Sequence, residues 1–329
     1  MLRSRRHRRV ISSAVLSLAC LFMLAGNVAN AAVDYPTKPV EMVVCYSPGG
    51  FTDMTARIIC SVASQHLGQP MVAVGKAGGS AAIGTQYTLQ GGPTGYRLLW
   101  DVSTQCITGP LTIKGYPFSA KDLEIVAALT QTERTLVVRA DAPWNTLEEL
   151  FDYSRKNPGK VTYGSSGTGA WGHLSGEMLA QAGKVKWVHI PYAGSSAALS
   201  ALVGGHVDLV TAQPSEITPL AEANKVKVLV ATAELPSFPG VPTLDQLGYG
   251  PWHAEQLYCV AAPKGTPKPV LDKLEAALEQ VAKDKSFINL MAKVGADVKF
   301  TSAAEASKRY AQWVEDLRPL VKSLGLLAN

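Results

Sequence analysis

Residues 40–53 read VEMVVCYSPGGFTD, and this stretch decides the fold class. A run rich in β-branched residues, 40–46, is followed by the turn formers Pro48, Gly49 and Gly50 and then by a helix-like segment. The pattern predicts a strand that turns sharply into a helix. Further strand-like runs alternate with helix-like segments at 71–74, 96–102, 123–129, 135–139, 161–164, 186–190, 207–211, 226–231 and 255–262. Such alternation favours an α/β fold whose mostly parallel sheets are flanked by helices.

Ten strands without an internal repeat are too many for one small sheet, so we predict two α/β lobes. The chain is expected to cross between lobes near residues 131–134 and to return near 255–262, after the Pro/Gly-rich stretch 236–251. The first lobe would then be discontinuous, comprising residues 33–138 and 250–329. The second lobe, 139–249, would be inserted into it, and the crossing strands would form a hinge.

Two helix starts carry a capping-box pattern, in which a Ser or Thr is followed three residues later by Glu. Thr146 and Glu149 form the first pattern, and the helix they open is expected to stop at Pro158-Gly159. Ser302 and Glu305 form the second pattern and open the last predicted helix.

The first 31 residues have the layout of a cleavable export signal. Five arginines and no acid precede a short apolar run, 10–26, and Ala29-Asn30-Ala31 supplies a cleavage site after Ala31. The paired arginines leave a twin-arginine route open, and Cys20 leaves lipid anchoring open. The sequence therefore predicts export to the periplasm.

Removal of this signal changes the charge balance. The chain has 31 Lys and Arg against 26 Asp and Glu, and the signal takes five arginines with it, so 26 of each sign remain. A near-neutral chain gives no reason to expect nucleic acid as a partner.

Four cysteines remain after the signal: Cys45, Cys60, Cys106 and Cys259. They are widely spaced in apolar runs, so we interpret them as small buried hydrophobes, with a Cys45–Cys259 disulfide as the alternative. Neither the cysteines nor the histidines have zinc-ligand spacing, so we predict no metal and no cofactor.

Two loops stand where a strand gives way to a helix, the place where open α/β sheets bind ligands. They read YSPGGFTD (46–53) and GSSGTG (164–169). Either loop alone could be a tight turn, but together they favour a cleft, because glycine admits close approach and the first N–H groups of a helix bind anions. The predicted ligand-binding residues are Tyr46, Gly49, Gly50, Phe51, Thr52 and Asp53 in the first loop, and Ser165, Ser166, Gly167, Thr168, Gly169 and His173 in the second.

A third strand-to-helix loop, PYAGSS (191–196), is expected to close over the far end of the ligand. Its candidate contacts are Tyr192, Gly194 and Ser195. Asp208 is a further candidate, either as a ligand contact or as a turn or hinge partner.

The sequence lacks residues or motifs that the alternative enzyme functions require. Residues 167–172 match GxGxxG, but the next strand ends without the acid that a dinucleotide ribose needs, and Ala170 and Trp171 replace the Lys and Ser/Thr of a phosphate loop. A serine hydrolase using Ser165 or Ser166 with His173 is the stronger rival, although the GxSxG motif is absent. We predict a binding protein and not an enzyme.

Several ordered segments resemble the extracytoplasmic receptors of the tripartite tricarboxylate transporter family, also called the Bug solute-binding proteins. The resemblance covers nearly the whole exported chain. Its marks are YPTKPV (35–40), SPGGFTD (47–53) with Ala56-Arg57, LGQ (67–69), GSSG (164–167) with His173-Leu174, HIPYAG (189–194), GGHVD (204–208), VPT (241–243) and APKGTP (262–267).

This resemblance implies a type II periplasmic binding protein with a Venus-flytrap fold. Main-chain amides of the two glycine loops, helped by ordered water, would grip one carboxylate, and Tyr46 would line the pocket. Ligands would be dicarboxylates, tricarboxylates, acidic amino acids or aromatic acids. The partners would be a large and a small permease subunit, and the receptor is expected to be a monomer. Ligand sensing through a membrane sensor is the alternative role.

The chain departs from the family pattern at three places. Residues 75–81 read GKAGGSA where an Asn-Arg-Pro-Gly-Ala-Gly-Gly stretch is usual, and Cys45 stands where proline is common. After the third strand, STQC (103–106) replaces the small residues that we would expect. The far side of the ligand site is therefore expected to be unusual.

Overall fold

The computed structural model describes residues 34–46, 48–192 and 194–328, so the predicted signal with its cleavage site and Cys20 lies outside the described residues. The chain divides into two compact units, and every helix and strand described below belongs to the second unit, Pro36–Asn329.

Six strands form the first sheet. They are β1 (Val40–Val44), β2 (Met71–Gly75), β3 (Arg97–Trp100), β4 (Leu123–Thr132), β10 (Gln256–Pro263) and β11 (Asp297–Ser302). Their order across the sheet is β11-β4-β10-β3-β1-β2. β1 pairs in parallel with β2 and β3, whereas β10 is antiparallel to β3 and β4, and β11 is antiparallel to β4. Strands β1 to β4 therefore all run in one direction.

Five strands form the second sheet. They are β5 (Thr135–Arg139), β6 (Thr162–Ser165), β7 (Val188–Pro191), β8 (Leu209–Ala212) and β9 (Val226–Ala231), in the order β7-β6-β8-β5-β9. β6 pairs in parallel with β7 and β8, and β5 is antiparallel to β8 and β9. All ten predicted strands are confirmed, whereas the edge strand β11 was not predicted.

Helices cover both sheets. They are α1 (Phe51–Leu67), α2 (Ala82–Gln90), α3 (Gly109–Thr112), α4 (Leu147–Lys156), α5 (Trp171–Gly183), α6 (Ser195–Val203), α7 (Pro214–Glu222), α8 (Lys268–Lys283), α9 (Lys285–Lys293) and α10 (Ala303–Ser323). A π-helical turn, Thr104–Thr108, leads into α3. No helix in the described part of the chain has both the length and the hydropathy that a membrane span needs.

Both predicted capping residues are confirmed. The Thr146 hydroxyl accepts a hydrogen bond from the Glu149 N–H (3.2 Å) at the start of α4, and the Ser302 hydroxyl accepts one from the Glu305 N–H (3.3 Å) at the start of α10. Side chains thus satisfy N–H groups that a helix start would otherwise leave without a partner.

Two residues connect the two sheets, because β4 ends at Thr132 and β5 begins at Thr135. β4 runs in the direction of β1 and β3, and Thr135 pairs with Ala212, the last residue of β8. The chain therefore passes directly from the carboxyl edge of one sheet to the carboxyl edge of the other. Three residue steps span at most about 11 Å, so the two edges face each other at short range. The lobe boundaries at 138/139 and 249/250 remain predictions.

The four cysteines are free and buried. A Cys45–Cys259 disulfide is ruled out by the strand order: Cys45 follows β1, Cys259 lies on β10, and β3 runs between them. Two strand spacings amount to about 9.6 Å, beyond the reach of a disulfide. Burial raises the pKa of the Cys45, Cys60 and Cys106 thiols to about 12 and also raises that of Cys259.

We expect Ellman's reagent to modify none of these four thiols in the folded protein and all four after unfolding, because a buried, protonated thiol is unreactive. Ser196→Cys, at an exposed position, provides the matched control and should react at once. Modification of a native thiol before unfolding would contradict this burial.

Candidate ligand-binding site

The first predicted loop lies at the carboxyl end of β1. Gly49 has a φ of +77°, and its N–H donates to the buried Asp53 carboxylate (3.0 Å). Arg57 forms two hydrogen bonds of 3.0 Å to that carboxylate and holds its pKa below the ordinary value. The Asp53 carboxylate thus stabilises the turn by accepting hydrogen bonds from Gly49 and Arg57. No side chain caps α1, whose N-cap is Gly50, so its first N–H groups are available to a ligand.

The second predicted loop lies at the carboxyl end of β6. Gly167 and Gly169 have φ angles of +131° and +74°, which favour glycine. The Ser165 hydroxyl, 1% exposed, accepts from the Gly167 N–H (3.2 Å) and lies 3.0 Å from the Gly167 carbonyl oxygen. No side chain caps α5. This turn therefore has the same features as the first: glycines and an uncapped helix start.

Two stacked histidines support the second loop. The rings of His173 and His189 lie 3.8 Å apart at 15°. His173 Nδ1 accepts from the Gly169 N–H (2.9 Å), and His189 Nε2 lies 2.7 Å from the Ser165 hydroxyl oxygen. His173, predicted as a ligand donor, therefore holds its own loop. Burial lowers the pKa of both imidazoles to about 4, helped in His189 by the neighbouring His173.

We expect both imidazoles to remain uncharged in the folded protein down to about pH 4, because protonation would put two charges in contact and remove the acceptor of the Gly169 N–H. An NMR titration of the histidine side chains checks this. The unfolded protein, in which histidine has a pKa of about 6.5, is the reference. A folded-state midpoint near that reference value would contradict the stacked geometry.

The two histidines also predict how stability depends on pH. Between about pH 6.5 and 4 the unfolded chain binds protons that the folded chain does not, so their contribution to the free energy of unfolding falls as the pH falls. Asp101 acts in the opposite direction, because burial raises its pKa to about 6 and the folded chain takes up that proton first. Site-resolved NMR separates the two effects, which a denaturation curve would sum.

A short segment bridges the two loops. The hydroxyl groups of Tyr46 and Thr104 lie 2.9 Å apart, which ties the first loop to the π-helical turn. That turn leads into α3, whose last residue, Thr112, abuts Gly169 so closely that a Cβ at Gly169 would collide with it. The eight residue steps from Thr104 to Thr112 span about 12 Å of helix. Residues 104–112 therefore contact the first loop at one end and the second loop at the other.

A buried polar network lies between the facing edges. Asp101 follows β3, has a φ of +61° and is 3% exposed. Its carboxylate accepts from the Ser103 hydroxyl (2.8 Å) and from the Gln256 side chain (3.3 Å). Beside it, the Tyr258 ring packs edge-on against Phe51 (5.0 Å), and the Gln213 side-chain amide donates to the Tyr258 hydroxyl (2.6 Å). The start of α1 is thus packed against this network.

The third predicted loop adjoins the second. The Tyr192 N–H donates to the Ser165 carbonyl oxygen (2.9 Å), and a Cβ at Gly167 would face the Tyr192 carbonyl oxygen at 3.8 Å. Gly194 and Ser195 begin α6, which also has no side-chain cap. The structure therefore brings the candidates of this loop next to those of the second.

Asp208 lies elsewhere. It precedes β8, and its carboxylate accepts from the N–H (2.7 Å) and hydroxyl (2.8 Å) of Thr162, the first residue of β6. Thr162 is about 10 Å along the strand from Ser165. The sequence allowed Asp208 to be either a ligand contact or a turn or hinge partner, and these contacts make it a turn partner. We therefore omit it from the candidate site.

Sequence reasoning missed Asp101, Gln256 and Tyr258 as members of the site region, and it did not assign His189 a role there. Asp101 offered one signal, a polar residue directly after a buried strand. Gln256 and Tyr258 gave none, because they belong to β10, whose position in the sheet depends on pairing with distant strands.

The segment 75–81, where the chain departs from the family pattern, is a left-handed turn. Gly78, Gly79, Ser80 and Ala81 all have positive φ, from +50° to +122°. Such angles are costly at Ser80 and Ala81. The Tyr116 hydroxyl donates to the Ser80 carbonyl oxygen (2.9 Å) and helps to fix the turn.

A cavity of about 750 Å³ lies away from these loops, beside α8, α10 and β4. Its lining includes the ion-paired Lys264 and Glu124 (2.6 Å) and none of the predicted site residues. We therefore place the candidate site by its polar groups and not by cavity size. Within the described residues, no group of three or more His, Cys, Asp or Glu side chains is arranged to hold a metal ion.

Two mixed sheets, a direct crossing and facing glycine loops define a two-lobed α/β solute-binding protein. A family model described as "Tripartite tricarboxylate transporter family receptor" matches residues 55–326. The chain belongs to this family.

Individual relatives agree with this assignment. The chain is 34% identical over 328 residues to the "UPF0065 protein in gbd 5′ region" of Cupriavidus necator, covering 98% of each chain. The solved periplasmic binding protein BugD matches with a TM-score of 0.75 at 32% identity, covering 90% of this chain and 100% of that chain. An R. palustris protein solved with adipate matches with a TM-score of 0.79 at 26% identity and the same coverages.

Proposed function

We propose that this chain is the periplasmic receptor of a tripartite tricarboxylate-type secondary transporter, which captures a small carboxylate and delivers it to membrane permease subunits. The observation that carries the proposal is the pair of glycine turns at facing sheet edges, each leading into a helix without a side-chain cap. N–H groups at such helix starts donate to anionic oxygens. The adipate bound to the R. palustris relative supports a carboxylate as the ligand.

Main-chain donors at the two helix starts can in principle supply the affinity that a receptor needs. A hydrogen bond to a charged group contributes about 1.5–3 kcal/mol, so four to six of them supply the roughly 8 kcal/mol of a micromolar complex after ordering costs. Binding through main-chain groups holds the carboxylate without a buried cation at the turns. The rest of the ligand is then recognised by side chains around them.

The contact between Ser165 and His189 favours serine hydrolysis as a second candidate, but other features oppose it. A nucleophile must reach its substrate and needs a base that a third group orients. Ser165 is 1% exposed, and its hydroxyl is also bonded to the backbone of Gly167. His189 stacks on a second histidine, and we assign the Ser165–His189 contact to holding the turn. We therefore propose binding without catalysis.

Titration calorimetry with di- and tricarboxylates, acidic amino acids and aromatic acids tests the proposed function. We expect at least one acid to bind with a dissociation constant in the micromolar range, about −8 kcal/mol. The diamide of the same acid is the matched control and should not bind, because it lacks the anionic oxygens. If no acid gives heat or raises the melting temperature, the proposed function is wrong.

A further inference from the structure

Arg134, one of the two residues that cross between the sheets, is buried at 4% exposure. Its guanidinium takes part in none of the ion pairs found in the described part of the chain. One nitrogen, Nη2, donates a long hydrogen bond to the Gln256 side-chain oxygen (3.5 Å). Its Nε has no hydrogen-bond partner among the described residues.

Nearby acids do not neutralise this cation directly. Glu216 faces Arg134 from α7, but its carboxylate accepts from the Gln213 N–H (3.0 Å). Gln256 links Asp101 to Arg134: its side-chain amide donates to the Asp101 carboxylate at 3.3 Å. A buried charge without a direct partner is costly, so this arrangement is unexpected if Arg134 serves packing alone.

Other buried polar side-chain atoms also lack partners. Besides Arg134 Nε, four buried side-chain atoms lack a hydrogen-bond partner within the described ranges: Gln105 Oε1, Thr132 Oγ1, Gln213 Oε1 and Trp252 Nε1. Thr132 and Gln213 lie at the carboxyl ends of β4 and β8, Gln105 follows β3, and Trp252 lies on the return path to β10. Buried polar atoms are normally satisfied, so Thr132 Oγ1 and Gln213 Oε1, at the facing edges, indicate room for a polar ligand group there, whereas Trp252 packs in the core of the second sheet.

We propose that Arg134 binds a second anionic group of the ligand, so that the site selects dianionic acids over monocarboxylates. This inference rests on the proposed function, in which the glycine turns hold the first carboxylate. Arg134 lies where the two carboxyl edges face each other and presents an unused donor on a planar guanidinium, a group that suits carboxylates. The ligand's second carboxylate supplies the counter-ion that the protein itself does not place there.

Matched acids test this role by titration calorimetry: succinate against butanoate, glutarate against pentanoate, and adipate against hexanoate. We expect the best diacid to bind about 10- to 100-fold more tightly than its monoacid, the range of one charged hydrogen-bonding contact. Arg134→Met should reduce that preference to within about threefold by weakening diacid binding, whereas Arg134→Lys should retain part of the preference because the charge remains. Arg97→Met, which removes a guanidinium already paired with Glu41 (3.0 Å), is the control and should retain the preference.

Thermal unfolding of the protein without ligand gives an independent readout. Replacing a buried, unpaired cation by an apolar side chain should leave the melting temperature equal or higher. A fall of more than about 5 °C, or failure to fold, would show a structural role and overturn the inference.

The outcomes separate the inference from the proposed function. Equal affinity of wild type for diacids and monoacids, or a preference that survives Arg134→Met, overturns the inference and leaves carboxylate capture intact. If wild type binds none of these acids or the wider panel, the proposed function fails and the inference fails with it.

Discussion

Gly167→Val is expected to weaken carboxylate binding by about 100-fold or more while the protein remains folded, because several charged hydrogen bonds would be lost together. Gly167 has a φ of +131°, where a β-branched residue is strained. The new side chain would also enter the space between the second loop and the Tyr192 carbonyl oxygen, which lies 3.8 Å from the point that its Cβ would occupy. Calorimetry measures the affinity, and thermal denaturation confirms the fold.

Gly159→Val is the matched control for this change. Gly159 also has a positive φ, +74°, and a Cβ there meets nothing within 4 Å. Both variants carry a backbone cost of about 1–2 kcal/mol, but Gly159 lies outside the candidate site. Equal loss of affinity in the two variants, or none in Gly167→Val, would remove the second loop from the site.

Trp100→Ala is expected to lower the free energy of unfolding by about 4 kcal/mol, as for other large aromatic truncations in a core. Trp100 is 0% exposed on β3, and its indole N–H donates to the Thr55 hydroxyl (2.9 Å). Its ring lies 6.0 Å from that of Tyr258, which packs against Phe51. The cavity would therefore open beneath the first loop, and chemical denaturation measures the loss.

Trp100→Phe separates the ring from the hydrogen bond. This variant retains most of the packing and leaves the Thr55 hydroxyl without its donor, so we expect a smaller loss of about 1–2 kcal/mol. A loss below about 1 kcal/mol in Trp100→Ala would mean that β3 is not at the centre of this core.

The strands and the two glycine loops were predictable because their signals are local. In VEMVVCYSPGGFTD the apolar run, the turn formers and the helix start follow one another within fourteen residues. The edge strand β11 escaped prediction although its charged and apolar residues alternate as in a half-exposed strand, with Asp297 and Lys299 exposed. Its strand character depends on pairing with β4, which lies far away in sequence.

The rest of the site region could not be predicted for the same reason. Arg134 looks like any polar residue between two strands until β5 is known to pair with β8, which buries the crossing. The partner of Ser165 proved to be His189 and not the nearer His173, because β7 lies beside β6. The role of Asp208 stayed open for a related reason. The sequence does not show that its carboxylate binds Thr162 at the start of β6, at the opposite end of the strand from Ser165.

Because Cys45, Cys60, Cys106 and Cys259 are buried, the chain after the predicted signal is a convenient subject for fluorescence labelling. A dye pair attached through two new surface cysteines, one on each side of the residue 133–134 crossing, would not compete with native thiols. Energy transfer between the dyes would then report any change in their separation when a ligand binds, without replacement of the four buried cysteines.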